Sequence, residues 1–249
     1  MDQPRTVLIT GASSGIGSAI ARALAREGYD LALADINTDL LKELLADPDI
    51  AKRKTVAMGL DIRSPQQIEN AFEQARAALG PIGVLVNNAG RPLTKPSIEI
   101  TPAEWDDTVS INLRGAFFLS LAFGRACMTG GHAGSIVSLA STHGVIGIPE
   151  RAVYGITKAG LIQMSRMLAI EWADKNIRVN AVAPTTVMTP SRQEMLKDPQ
   201  VRAGMLARIP TGRFATPEEV AAAVVYLVSP GAASVTGHTL MVDGGLTAY

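Results

Sequence analysis

Tyr154 and Lys158 lie four residues apart in the segment YGITK. If this segment is helical, the phenol and the ammonium point to the same side of the helix, one turn apart. A surface contact on an amphipathic helix would explain the pair, and so would proton transfer. A free phenol has a pKa of about 10, and a positive charge beside it favours the phenolate, which can take the proton of an alcohol. The segment therefore predicts a candidate acid–base pair.

A glycine-rich turn near the N-terminus could hold a nucleotide. In TGASSGIG, Gly11, Gly15 and Gly17 follow an apolar run, and glycine lets the backbone approach a pyrophosphate at the start of a helix. The spacing differs from the common G-x-G-x-x-G fingerprint, so the turn is weak support by itself. Asp35 strengthens it, because it lies 18 residues beyond Gly17, near the ~20 expected for a carboxylate that binds the adenine ribose. The alternative is that Asp35 caps the following helix.

Short apolar runs alternate with longer helical patterns, and these elements must position the candidate residues. The predicted strands are 6–10, 31–35, 54–61, 82–90, 134–141, 177–184 and 238–245. The predicted helices are 15–28, 38–47, 64–79, 101–128, 151–174 and 216–229, with Thr38, Ser64 and Thr101 as N-caps. This order predicts an α/β fold, a single Rossmann-type, doubly wound parallel β-sheet flanked by helices on both faces.

Residues 1–249 are expected to form one domain, because no linker or low-complexity segment interrupts the alternation. Residues 185–212 are the one long insertion in which neither a strand nor a helix is predicted. Long insertions in compact folds are often lids or binding loops. We therefore expect a substrate loop there.

Composition narrows the possible partners. Hydrophobic residues make up 47% of the 249 residues and aromatic residues 4%, so aliphatic side chains must build the core. Lys plus Arg equals Asp plus Glu at 23 each, which favours neither nucleic acid nor a membrane surface as a partner. Cys127 is the only cysteine, so no intramolecular disulfide can form, which fits a reducing compartment. We expect its side chain to be a small buried hydrophobe. We expect a cytoplasmic protein without a signal peptide, a membrane span or a metal site.

Six motifs together resemble the short-chain dehydrogenase/reductase family in order and spacing, from about residue 5 to the C-terminus. They are TGASSGIG, NNAG (87–90), Asn112 in SINLRGAF, Ser141, YGITK and RVNAVAP. The resemblance implies that Ser141, Tyr154 and Lys158 act together, with Ser141 on the substrate oxygen, and that Asn112 belongs to a relay that orients Lys158. Ser138, the nearest alternative to Ser141, lies too early in the strand. A phenol pKa near 7 would take ~4 kcal/mol, which Lys158 and an oxidised nicotinamide could supply together.

The resemblance also implies a cofactor site. The predicted contacts are Gly11, Ser13, Ser14, Gly15, Ile16, Gly17, Asp35, Ile36, Asp61, Ile62, Asn88, Ala89, Gly90, Tyr154, Lys158, Pro184, Val187 and Thr189. We expect NAD rather than NADP, because Asp35 can bind the ribose hydroxyls and would repel a 2′-phosphate. Ser14 and Ile36 stand where NADP enzymes of the family carry basic residues. Thr185 replaces the family's usual glycine, in a run that is similar to the sugar/polyol dehydrogenase and L-xylulose reductase-like branch.

The substrate is the part of the function that the sequence describes least. The predicted pocket residues are Arg91, Ser141, Thr142, His143, Arg151, Tyr154 and Arg192. Their hydroxyls and charges favour a small polar substrate, so we expect NAD-dependent oxidation of a secondary alcohol or hemiacetal on a sugar, sugar acid or polyol. The alternatives are a 3-oxoacyl-(acyl carrier protein) reductase-like enzyme, a non-catalytic nucleotide-binding regulator, and an epimerase or dehydratase of the related extended family.

Two helical patterns predict assembly. The segments 101–128 and 151–174 are apolar on more than one face, and such helices bury the remaining apolar surface against a partner. Members of the family commonly pair these helices across a two-fold axis. We therefore expect a homotetramer with D2 symmetry.

Overall fold

The computed structural model describes residues 3–248, apart from the side chains of Pro190, Ser191 and Met195. Its strands are β1 (Thr6–Thr10), β2 (Asp30–Asp35), β3 (Thr55–Gly59), β4 (Val84–Asn87), β5 (Gly134–Leu139), β6 (Ile177–Pro184) and β7 (Thr239–Val242). All seven predicted strands are confirmed. Four of them (β3, β4, β5 and β7) end earlier than predicted, because the chain turns into a loop at their carboxyl ends.

The helices connect the strands in the predicted order. They are α1 (Gly15–Arg26), α2 (Thr38–Leu45), α3 (Pro65–Leu79), α4 (Pro102–Val109), α5 (Gly115–Gly130), α6 (Ala152–Trp172), α7 (Pro190–Met195), α8 (Pro199–Leu206) and α9 (Pro217–Val228). Within residues 3–248, no helix is both long and apolar enough to cross a membrane. The predicted substrate loop contains α7 and α8, which pack with the chain after them around a small core of Leu196, Ile209 and Phe214.

The seven strands form one parallel sheet in the order β3-β2-β1-β4-β5-β6-β7. The chain moves outward from β1 to β3 and then returns to place β4 on the other side of β1. In doubly wound sheets, ligands bind in the crevice beyond the carboxyl ends of the strands where this reversal occurs. The predicted Rossmann-type fold is confirmed. A ligand site is therefore expected beyond the carboxyl ends of β1 and β4.

Helices cover both faces because strand side chains alternate. In β1, Leu8 belongs to a core with α3, α5 and α6, whereas Val7 and Ile9 belong to a core with α1, α2 and α9. All three side chains are fully buried. Burial of each contributes roughly 1.5–3 kcal/mol, so the two layers hold the central strands rigidly beneath the crevice.

Side-chain caps fix where several helices begin. Ser64 and Thr101 each accept a hydrogen bond from the first turn of their helix, as predicted. The prediction that Thr38 caps α2 is wrong. Asn37 precedes it, and Asn37 Oδ1 accepts a hydrogen bond from Leu40 N at 3.2 Å. An asparagine amide is at least as good a cap as a threonine hydroxyl, so the helix begins at the earlier position.

The helix predicted over 101–128 is interrupted by one turn of π-helix, Ser110–Arg114, which joins α4 to α5. A π turn inserts an extra residue into the helix, and such turns are frequent at functional sites. Asn112 lies in this turn and is fully buried. The predicted single helix is therefore wrong in its middle, because the apolar pattern continues across the turn and does not mark it.

Candidate functional site

A cavity of about 570 Å³ opens beyond the carboxyl ends of β1 and β4. Every predicted cofactor residue except Gly15 lines it, together with Ser141 and Thr185. The lining residues that the sequence patterns did not single out are Thr10, Ala34, Leu60, Arg63, Pro92, Ile111, Leu139 and Ala140. Four of these eight, Thr10, Leu60, Leu139 and Ala140, end a strand or directly follow one, so alignment of the strand ends is the signal that could have found them.

The turn between β1 and α1 shapes one wall of the cavity. A Cβ on Gly17 would lie 2.0 Å from the carbonyl oxygen of Gly11, so only glycine fits at this close approach. Ser14 precedes α1 and makes no capping hydrogen bond with its side chain. The first turn of α1 therefore meets the cavity without a side-chain cap, an arrangement that suits a pyrophosphate.

The carboxylate of Asp35 is held against this glycine turn. Its Oδ2 accepts a hydrogen bond from Ser13 N at 3.0 Å, and its Oδ1 accepts one from Asn37 N at 3.0 Å. Asn37 is the residue that caps α2, so the alternative role of Asp35 as that cap is wrong. Each carboxylate oxygen has a further lone pair for a hydroxyl donor in the cavity.

Asn88 ties the two strands at the reversal point together. Its Nδ2 donates to the carbonyl oxygens of Thr10 at 3.0 Å and Gly11 at 2.8 Å. Thr10 Oγ1 in turn accepts the N–H groups of Asn88 at 3.2 Å and Ala89 at 3.1 Å. These bonds fix the backbone of both loops that face the cavity.

Asp61 and Arg91 belong to an ion-pair network at the cavity. Arg63 binds Asp61 at 2.6 Å and Asp107 at 2.8 Å, and Asp107 also pairs with Arg91. The Arg63 guanidinium lowers the pKa of Asp61. Arg91, predicted as a substrate contact, lines the cavity, but its charge is compensated by Asp107.

The first helix turns of α6 present Tyr154 and Lys158 to the cavity, one turn apart as predicted. Lys158 Nζ lies 5.6 Å from the centre of the Tyr154 ring and donates to the carbonyl oxygen of Leu139 at 2.6 Å. The Lys158 side chain is buried, and burial lowers its pKa to about 8. The pair is therefore not a solvated contact on the helix surface.

Burial also governs the Tyr154 phenol. It raises the pKa of Tyr154 above the ordinary value of 10, whereas a hydrogen bond with Ser141 and the charges of Arg192 and Arg151 lower it. Lys158 by itself does not bring this pKa toward 7. Its ammonium is bound to a carbonyl group, and the desolvation of the phenol is the larger effect.

Ser141 follows β5 and contacts His143. Ser141 Oγ accepts a hydrogen bond from His143 N at 3.2 Å and lies 3.1 Å from His143 Nδ1. The His143 ring meets the Tyr154 ring edge to face at 5.5 Å between centroids. His143 thus packs against Ser141 and Tyr154 and does not line the cavity. Ser138 instead binds Asn87 within the core at 3.3 Å, which excludes it as the alternative to Ser141.

Two arginines and one threonine complete the predicted substrate residues. Arg192 on α7 lines the cavity, whereas Arg151 lies half-buried just before α6 and outside the lining. Thr142 is fully buried and its hydroxyl has no hydrogen-bond partner. Burial and the charges of Arg151, Arg192 and Arg208 lower the pKa of His143 to about 4, so this ring is neutral at pH 7.

Asn112 lies behind the cavity rather than in its wall. Its Nδ2 donates to Arg91 O at 2.9 Å and Thr157 Oγ1 at 3.2 Å, and its Oδ1 accepts Arg91 N at 2.9 Å. A Cβ on Gly90 would lie 3.2 Å from Asn112 Oδ1 and 3.4 Å from Lys158 Nζ, so both atoms border the space beside Gly90. The relay between Asn112 and Lys158 stays a prediction.

Comparisons with known proteins cover nearly the whole chain. The family model described as enoyl-(acyl carrier protein) reductase matches residues 11–247. D-Threitol dehydrogenase of Mycolicibacterium smegmatis is 36% identical over 243 residues, which cover 98% of this chain and 93% of that protein. NAD-dependent glycerol dehydrogenase of Listeria innocua is 37% identical over 244 residues, covering 98% and 94%. A solved structure described as a short-chain alcohol dehydrogenase from Sinorhizobium meliloti matches with a TM-score of 0.94 at 40% identity, covering 99% of this chain and 98% of that one.

Proposed function

This chain belongs to the short-chain dehydrogenase/reductase family, and we propose that it transfers a hydride between NAD and a secondary alcohol or carbonyl of a small polar substrate. Members of this family are oxidoreductases that act on CH–OH groups with a nicotinamide cofactor, and this protein is one of them. One observation carries the proposal. The glycine turn and Asp35 line the same cavity as Ser141, Tyr154 and Lys158.

The residues of the cavity fit a dinucleotide. In the proposal, the uncapped first turn of α1 binds the pyrophosphate, Asp35 binds the adenine ribose, and Asn88–Gly90 lie along the ribose side. Pro184, Val187 and Thr189 border the nicotinamide end. When bound, the oxidised cofactor supplies the hydride acceptor and one positive charge.

The chain's own residues handle the proton. In the proposed reaction, Tyr154 Oη takes the proton of the substrate hydroxyl while Ser141 Oγ hydrogen-bonds the substrate oxygen. Lys158 is charged below a pH of about 8 and favours the phenolate. Because burial raises the pKa of Tyr154, ionisation of the phenol also depends on the charge that arrives with the cofactor. Overall, an alcohol and NAD⁺ give a carbonyl, NADH and a proton.

Asp35 supports NAD over NADP. Its carboxylate is fixed by Ser13 N and Asn37 N at the end of β2, where a 2′-phosphate would bring like charges together. Ile36 beside it is exposed and uncharged, so it offers nothing to compensate a phosphate. We expect kcat/KM with NAD to exceed that with NADP. Equal or better activity with NADP would contradict this part of the proposal.

Polyols, sugars and sugar acids are the proposed substrates. The relatives named for threitol and glycerol support this class. A 3-oxoacyl-(acyl carrier protein) reductase-like activity is the second candidate, because the matching family model is described as an acyl carrier protein reductase. A non-catalytic regulator would need only the nucleotide-binding residues, and not Tyr154 and Lys158 together at the same cavity.

A turnover assay tests the proposal. The purified protein would be given polyols, sugars, sugar acids and a long-chain 3-oxoacyl thioester with each nicotinamide cofactor, and reduced nicotinamide would be followed by absorbance. We expect alcohol oxidation with NAD, a loss of about 10²–10⁴-fold in kcat for Tyr154→Phe, and an unchanged rate for Tyr226→Phe, whose side chain is exposed on α9. Activity confined to the thioester would establish the second candidate, and full activity of Tyr154→Phe would refute the mechanism.

The proposal extends to the whole protein. We propose one domain over residues 1–249 and a homotetramer with D2 symmetry. The support for the tetramer is the exposed apolar surface of α5 and α6. A cytoplasmic location is also proposed, because the single thiol, Cys127, is free and buried, which fits a reducing compartment.

A further inference from the structure

The turn that follows β5 holds Ser141 and His143 together. Ser141 precedes a 3₁₀ turn, Thr142–Gly144, and this turn packs closely on the backbone of α6. A Cβ on Gly144 would lie 2.7 Å from the main chain of α6, and a Cβ on Gly155 would lie 2.9 Å from the carbonyl oxygen of His143. Because these backbone contacts leave no room for a side chain, they fix where the turn lies on the helix.

Two nitrogens of His143 reach the Ser141 hydroxyl. His143 N donates to Ser141 Oγ at 3.2 Å, and His143 Nδ1 lies 3.1 Å from the same oxygen. A hydroxyl has two acceptor lone pairs and one O–H donor. The ring is neutral at pH 7, with a pKa of about 4, so only one of its nitrogens carries a proton. Nδ1 therefore either donates to the second lone pair of Ser141 or accepts the Ser141 proton.

The two cases differ in where the Ser141 proton points. Ser141 lines the cavity and His143 does not. If Nδ1 accepted the proton, the O–H group would point away from the cavity. If Nδ1 donates, both lone pairs are filled from the side of His143, and the O–H group is left for the cavity. The hydrogen bond between Ser141 and Tyr154 supports the second case, because it lowers the pKa of the phenol, as a donor does. The Lys158 ammonium at the same end of the cavity is bound to the Leu139 carbonyl rather than to Ser141.

We propose that His143 is a positioning residue, whose Nδ1–H donates to Ser141 Oγ and thereby directs the Ser141 proton into the cavity, toward the substrate oxygen. This inference rests on the proposed function and adds to it a residue that lies outside the cavity lining. Ser141 then acts only as a donor, and Tyr154 Oη is left to take the proton of the alcohol. A donor binds an oxygen more strongly as negative charge develops on it, so His143 should affect kcat more than KM.

The tautomer can be measured by ¹⁵N NMR of the protein labelled on its histidines. The chain has three histidines, so the His143→Asn variant assigns the signals of His143 by their loss. Protonated and unprotonated ring nitrogens differ widely in chemical shift, and the two nitrogens of one ring are distinct. We expect Nδ1 of His143 to carry the proton at pH 7. A proton on Nε2 alone would overturn the inference.

Variants at position 143 separate positioning from packing. His143→Leu keeps apolar bulk against Tyr154 and removes the side-chain donor, so kcat for alcohol oxidation with NAD should fall about 10-fold, with KM and NAD affinity nearly unchanged. His143→Asn keeps an N–H donor and should recover most of the loss. His132→Leu is the matched control and should leave kcat unchanged, because His132 precedes β5, at the opposite end of that strand from Ser141, and does not line the cavity.

A double-substitution cycle identifies the route of the effect. If His143 acts through the Ser141 hydroxyl, His143→Leu should cost nothing further in a Ser141→Ala protein, because no hydroxyl is left to orient. Hydride transfer would be followed there in single turnovers, since Ser141→Ala should itself be slow. An equal loss in both backgrounds would show that His143 acts by packing and would overturn the inference. If no alcohol is oxidised while Nδ1 carries the proton, the proposed function fails and the direction assigned to the Ser141 hydroxyl stands.

Discussion

Lys158 is a buried cation whose presence destabilises the fold that holds it. Its pKa falls from 10.5 to about 8, which corresponds to a penalty of roughly 3 kcal/mol for the charged form at neutral pH. The hydrogen bond to the Leu139 carbonyl offsets part of it. Lys158→Met would remove the charge and leave that carbonyl without its donor, at a cost of about 1–3 kcal/mol.

We therefore expect Lys158→Met to lose turnover and bind NAD more weakly, yet to unfold at a higher urea concentration at pH 7. The free energy of unfolding should rise by about 1 kcal/mol relative to the parent protein. This difference should shrink between pH 8 and 10.5, because in that range Lys158 keeps its proton in the unfolded state and has released it in the folded state. Lys42→Met serves as the control, since Lys42 is exposed on α2 and its ion pair with Asp39 is worth little. A variant less stable than the parent protein at pH 7 would contradict this account.

His143 makes stability depend on acid pH. Burial and neighbouring arginines lower its pKa from 6.5 to about 4. In this window the unfolded state binds more protons than the folded one, so the contribution of His143 is complete above pH 6.5 and is lost as the pH falls toward 4. It amounts to about 3 kcal/mol at most.

The prediction is that His143→Asn flattens the fall in stability between pH 6.5 and 4. Denaturant unfolding of both proteins at a series of pH values gives a difference curve in which the carboxylates, common to both, cancel. Parallel curves for the two proteins would show that His143 is not the group responsible.

At the scale of residues, the sequence predicted which side chains meet at the cavity better than it predicted their pKa values and ion pairs. The positions of Ser141, Tyr154 and Lys158 followed from the family resemblance, and the structure brings all three to one cavity. The direction of the phenol pKa did not follow, because desolvation depends on burial by distant segments that no local pattern records. The compensation of Arg91 by Asp107 was missed for the same reason.

At the scale of elements, the start of α1 depends on a glycine that has no room for a methyl group. A Cβ on Gly17 would meet the Gly11 carbonyl at 2.0 Å, so Gly17→Ala must push the helix away from the turn. We expect a loss of about 2–4 kcal/mol in the free energy of unfolding, as for overpacked sites at the high end, and a large loss of NAD affinity.

Gly204→Ala is the matched control, because it also changes a helical glycine, in α8, where nothing lies within 4 Å of the added Cβ. That variant should be stabilised by about 0.5–1 kcal/mol, the usual gain for alanine in a helix. Thermal unfolding and NAD titration of both variants decide the matter. A Gly17→Ala protein that matches its parent in both measurements would show that the turn can relax.

Elements were predictable where one periodicity holds throughout. The seven strands and the caps at Ser64 and Thr101 were predicted, because alternation and capping are local properties. The π turn at Ser110–Arg114 was not, since its apolar residues continue the helical pattern. What selects it is tertiary: Asn112 must reach Arg91 and Thr157. Hydrophobic periodicity and capping signals thus predict the regular elements but not the π turn that holds Asn112 behind the cavity.

At the scale of the whole molecule, the single sheet explains both the position of the cavity and the exposed apolar surface of the helices that cover it. The reversal of strand order opens the cavity at one edge, and α5 and α6 cover one face of the sheet. Their outer sides carry exposed apolar side chains: Phe117 and Phe118 on α5, and Met167 and Ile170 on α6, with Ile170 at 80% exposure. The helices are neighbours, since α6 meets the π turn where Gly160 faces Leu113. Exposed apolar side chains on two neighbouring helices support the proposed interface.

We expect the protein to sediment at micromolar concentration as a particle of four 26.2 kDa chains, with α5 and α6 of one copy against those of another. Phe118→Glu combined with Ile170→Glu places like charges in that interface and should break it, because a buried unpaired carboxylate is strongly unfavourable. Leu40→Glu on α2 adds a charge to a partly exposed leucine outside the interface and should leave the assembly intact. A monomeric mass for the parent protein, or a tetramer that survives the double substitution, would show that these helices do not form the predicted interface.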